Sequence, residues 1–159
     1  MSNGKQMRGQ GHGSGRGAPS QQDRNESKKI VLFTPDGNHI NPELLDKTAN
    51  SWAEFICDNR NLPNHQLRRF FGEFKLLQRR LGSDKSKYAD RWPDVLPRLK
   101  MIKAQAHYAK NRKPPKITHD FNEFLIQIVD LSTTPEKFVT VCQFFEAVVA
   151  YSAGRVKEQ

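Results

Sequence analysis

The sequence predicts an all-α protein, a compact five-helix bundle preceded by a disordered basic N-terminal tail. Three observations carry that expectation. The stretch KFVTVCQFFEAVVAYSAGR, residues 137–155, is small or apolar around most of its circumference, and a helix of that kind has to be enclosed by others. Four earlier segments repeat apolar residues at three- and four-residue spacing between capping residues, prolines and polar loops. No pair of strands and no internal repeat interrupts them. The expected organisation is a disordered Gly/Arg-rich tail over residues 1–29 and one helical domain over residues 30–157.

Residues 1–27 are rich in Gly, Ser, Gln, Asn and Arg, a composition that does not offset the entropy of ordering. The run RGQGHGSGRG, residues 8–17, suits a flexible RNA-tethering tail, and equally a plain solubilising leader. KKIVLFT, residues 28–34, precedes the turn signal Pro35-Asp36-Gly37 and reads as an extended arm docked on the bundle. A first helix is expected from Pro42 to about Asp58, capped by Asn41, with Leu44, Leu45, Thr48, Trp52, Phe55 and Ile56 inward. The second runs from Asn64 to Leu81, with Leu67, Phe70, Phe71, Phe74, Leu77 and Leu81 as its core stripe. The third is expected to start no earlier than Pro93, because Pro97 is tolerated only in a first turn, and to reach about Asn111. Its core face is Val95, Leu99, Ile102, Ala106 and Ala109. The fourth, from Thr118 to Leu131, turns Phe121, Phe124, Leu125, Ile128 and Val129 inward. The fifth is the apolar rod, with Thr133 or Thr134 as cap, Pro135 in the first turn and Gly154 as its stop. Glu146 is the one charge in the rod's middle and is expected to reach the edge or pair with an arginine.

Net charge is +9, but its distribution says more than its sum. Residues 60–116 hold sixteen Lys/Arg against four acids, whereas residues 30–59 and 117–159 are both net acidic. A basic middle between acidic flanks points to a polyanion, most simply nucleic acid. On the second helix Arg68, Lys75 and Arg79 share one side, with Gly72 between them and Arg69 and Arg80 as a less aligned pair. On the third, Lys100, Lys103, His107 and Lys110 form a ridge, and Arg112 and Lys113 continue into a stiff basic loop. Regular cations without an obvious base-reading set imply phosphate contact, with Tyr108 and His107 beside the ridge placed to stack on a base or ribose, or Tyr108 to join the core. The expected RNA-binding residues are therefore Arg68, Lys75, Arg79, Lys100, Lys103, Lys110, Arg112 and Lys113.

Cys57 and Cys142 are isolated and read as core thiols of a reducing cytosol. No apolar run is long enough for a membrane span and the N-terminus lacks a signal-peptide core, so a soluble, cytoplasmic protein is expected. The five His are scattered and no phosphate loop, nucleophile elbow or HExxH pair is present, so no catalytic residue, metal or cofactor is expected. One enzymatic pattern stands as the runner-up. Arg60-Asn-Leu-Pro-Asn-His65 fits the loose R-polar-x3-H signature of metal-independent HEPN RNases, but Pro63 breaks the helix inside it.

LRRFFGEFKLLQRRL, LPRLKMIKAQAHYAKNRK and FFEAVVAYSAGR resemble, in order and spacing, the small helical subunit of the type III-A CRISPR–Cas effector, the Csm complex. The resemblance covers about residues 67–155. It implies a non-catalytic all-α subunit, present in several copies, that touches the backbone of guide RNA and target RNA without reading sequence. Its neighbours would be the repeated backbone subunit, the large signature subunit and copies of itself, in antiviral defence. Asn111 stands where the family often has Gly. A free-standing RNA chaperone using tail and ridge remains a further alternative.

Overall fold

The computed structural model describes residues 20–22 and 28–157, so the expected tail lies almost wholly outside the described residues. Five α-helices are present among the described residues: α1 (Lys47–Ile56), α2 (Asn64–Leu81), α3 (Tyr88–Asn111), α4 (His119–Leu131) and α5 (Pro135–Tyr151). Short 3-10 turns, Pro42–Leu45, Asp58–Arg60 and Lys85–Lys87, lead into α1, α2 and α3. The all-α expectation holds, with only isolated bridges Phe33–Ile40 and Pro63–Lys157 among the described residues.

Local chemistry sets most helix ends. The Thr118 hydroxyl accepts from the Phe121 amide and the Thr134 hydroxyl from the Lys137 amide, each at 3.2 Å, satisfying first-turn donors. Gly82 ends α2 with φ of 78°; a side chain there would meet the Arg91 guanidinium, which donates 3.1 Å to the Leu81 carbonyl.

α5 packs against α1 and α2 and also meets α4, while α3 sits between α2 and α4. The centre is aromatic. Fully buried Phe145 lies 5.2–6.5 Å, ring centre to ring centre, from Phe71, Phe74, Phe121 and Phe124, and pairs of this kind add to their burial. α5 is thus the central rod, although Gln143, Glu146, Ala150 and Tyr151 form a wet edge.

Two expectations about α-helix starts need correction. The first helix is not continuous from Pro42. It breaks at Asp46, whose backbone leaves the helical region (φ −118°, ψ −97°) where its carboxylate accepts a 3.0 Å bond from the Tyr151 hydroxyl. The third helix begins at Tyr88 and runs through both Pro93 and Pro97. Each proline withholds a donor from the carbonyl four residues back. Ala89, Pro93 and Pro97 are all exposed and lie one turn apart on the wet side, so the carbonyls that lose a donor, those of Ala89 and Pro93, belong to residues on the solvent side. Behind them Tyr88, Val95 and Leu99 are buried.

Both ends of the described chain are pinned. The Trp52 indole donates 2.9 Å to the Lys28 carbonyl, Asn41 donates 3.1 Å to the Val31 carbonyl, and Leu32 is buried, so residues 28–34 do form a docked arm. Lys157 exchanges backbone bonds with Leu62 and Asn64 at 2.9 and 3.1 Å.

Candidate nucleic-acid interface

On α2, burial of Leu67, Phe70, Phe74, Leu77 and Leu81 turns Arg68, Gly72 and Arg79 outward, all exposed. Lys75 lies on the same side but is drawn toward α5, with its ammonium 3.8 Å from the Glu146 carboxylate. Glu146 thus reaches the edge as expected and finds a lysine there, not an arginine.

On α3 the buried stripe Val95, Leu99, Ile102, Ala106 and Ala109 leaves Lys100 and His107 exposed. Lys103 turns to α4 and donates 2.7 Å to Asp130. Lys110 is half-buried beside Lys116, Thr118 and His119, and Arg112 and Lys113 stand exposed at the helix end. Because Lys75 faces α5 and Lys103 faces α4, the two ridges run along opposite flanks of the α2–α3 pair. Arg68, Arg79, Lys100, Arg112 and Lys113 enter no salt bridge among the described residues.

Between the flanks lies a feature the spacing did not reveal. Arg69 of α2, Met101, Gln105, Tyr108 and Arg112 of α3, and Lys116 line a cleft of about 420 Å³. Tyr108 is 67% exposed and Met101 57%, so Tyr108 is no core aromatic. The Arg112 guanidinium lies 6.0 Å from the Tyr108 ring centre, within cation–π reach. The cationic residue types and a stacking role for Tyr108 were visible in advance; which side chains meet across two helices was not.

The chemistry of the remaining candidates is limited. Burial pushes the Cys142 thiol up to about 12 and also raises that of Cys57, so neither serves as a ready nucleophile. No group of three His, Cys, Asp or Glu among the described residues is placed to hold a metal. No helix there is long and apolar enough to cross a membrane. Arg60 sits at φ +53° in a pocket with Glu54, Cys57, Asp58 and Arg155. His65 is not part of that lining; it lies exposed on α2, its Nε2 3.0 Å from the Gln66 side-chain nitrogen.

Residues 39–154 match the sequence model of the family described as Csm2 Type III-A. That match starts ahead of α1 and takes in α1 to α5. No curated protein and no solved structure gives a match.

Proposed function

The chain belongs to the Csm2 Type III-A family, the small subunit of the type III-A CRISPR effector complex, and from that premise we propose that it is the complex's non-catalytic RNA-groove subunit. In this reading it holds the backbone of the guide RNA–target RNA pair through phosphates, without reading sequence, in cytoplasmic antiviral defence. It packs against the backbone subunit, the large subunit and copies of itself.

One observation carries the proposal. The exposed cations Arg68, Arg79, Lys100, Arg112 and Lys113 have no carboxylate partner among the described residues, so their charge is available to an external polyanion. Lys75, Lys103 and Lys110 complete the set from the two flanks. The residues that would build an RNase, Arg60 and His65, have no comparable observation behind them.

The test is RNA binding by the assembled complex over a salt series. Alanine at Arg79 or Lys100 should weaken binding evenly across unrelated sequences and lower the salt slope by about one unit each. Losses confined to particular sequences, or an unchanged slope, would sink the phosphate reading.

A further inference from the structure

Met101 and Tyr108 are two of the large apolar side chains left in water, and both line the cleft from α3. Such side chains singly are ordinary; gathered beside cations they describe a ligand. Met101, Gln105, Tyr108 and Arg112 follow one another at i, i+4, i+7 and i+11, a single stripe of α3 about 16 Å long. Arg69 of α2 faces that stripe across the cleft. The cleft lining holds three full cations, Arg69, Arg112 and Lys116, and no carboxylate.

The occupant must therefore be anionic and offer a flat face to an exposed ring. An acidic peptide meets the first requirement and leaves the ring unused. An unpaired nucleotide meets both, since every base has a π-face and carries its own phosphates. We infer that this cleft is a nucleobase-stacking subsite for single-stranded RNA. One base lies against Tyr108 and Met101, and the flanking phosphates lie on Arg69, Arg112 and Lys116. A base already stacked inside a duplex has no free face, so the subsite takes a nucleotide outside the paired region. The inference rests on the RNA reading above and adds to it a contact with the base, still without sequence preference.

Two strands of about ten nucleotides, one normal and one with every base removed, separate the two ideas in equilibrium binding by the full chain. The normal strand should bind more tightly. Tyr108→Ala should lower its affinity roughly tenfold and leave the abasic strand unaffected, whereas Tyr108→Phe keeps the ring and should retain binding. Tyr108 is 67% exposed, so these changes do not touch the core. Equal affinity for both strands, or equal losses on both in Tyr108→Ala, would overturn stacking and leave phosphate contact standing. A loss in Tyr108→Phe matching that in Tyr108→Ala would overturn it in favour of a hydroxyl contact. No salt-dependent binding of either strand would overturn both readings. Polyglutamate binding that Tyr108→Ala abolishes, with RNA binding intact, would assign the cleft to an acidic protein.

Discussion

The helix seams on either side of α2 and α3 differ in kind. The seam to α5 is bridged by Lys75 and Glu146 at 3.8 Å, and the seam to α4 by Lys103 and Asp130 at 2.7 Å. The seam between α2 and α3 has arginine on both walls and no acid in its cleft. Opposite charges finish the first two from within the chain. Like charges do not finish the third, and in the RNA reading proposed above its partner is a phosphate from outside the chain. Cations with local partners are part of the bundle; those without them are its surface chemistry. Net charge alone does not separate the two kinds.

The comparison can be broken most severely from beneath. Phe145→Ala removes the ring that α2 and α4 share, and should cost about 3–5 kcal/mol in urea denaturation; a cost under about 1 kcal/mol would mean that the ring centre does not hold the seams. Arg68→Ala should leave stability within about 0.5 kcal/mol while lowering the salt slope of RNA binding by about one unit. A bridged pair should behave in the opposite manner. Asp130→Asn should cost at most about 1 kcal/mol, because the pair is partly exposed. It also releases the Lys103 ammonium, so RNA affinity at low salt should rise. A fall in affinity would show that the bridge positions the lysine for RNA.

The smallest expected effect is at Cys142. Its thiol is raised from 9.0 to about 12 by burial, so the unfolded chain loses this proton at lower pH than the folded one. The group leaves stability untouched below about pH 9 and lowers it progressively as pH climbs from 9 toward 12. At neutral pH, thiol labelling of Cys142 should occur only after denaturation; rapid labelling of the folded chain would place it nearer the surface.

What could be read from the chain depended on how local its cause was. α2, α4 and the start of α5 were legible because Gly82, Thr118 and Thr134 act within one turn of themselves. The start of α3 was not, since local rules forbid Pro97 deep in a helix, and only the tertiary placement of Ala89, Pro93 and Pro97 in solvent lifts the objection. The break at Asp46 has the same origin: its partner Tyr151 is 105 positions away. The basic character of the interface was legible from residue types. The division of those cations into bridged and open was not, because Glu146 and Asp130 are brought in by other helices. The cleft around Tyr108 required knowing that Arg69 faces the same seam.

The position of α5 has a consequence for how the protein is made. Among the described helices α5 follows the other four in chain order, yet α1 and α2 both pack on it, and the clasp from Lys157 to Leu62 lies beyond it. Until α5 has been made, Phe74 lacks the rings of Phe138 and Phe145 against which it packs, so the earlier helices await their partner with apolar surface exposed. A chain cut before α5 should therefore aggregate in place of forming a smaller bundle.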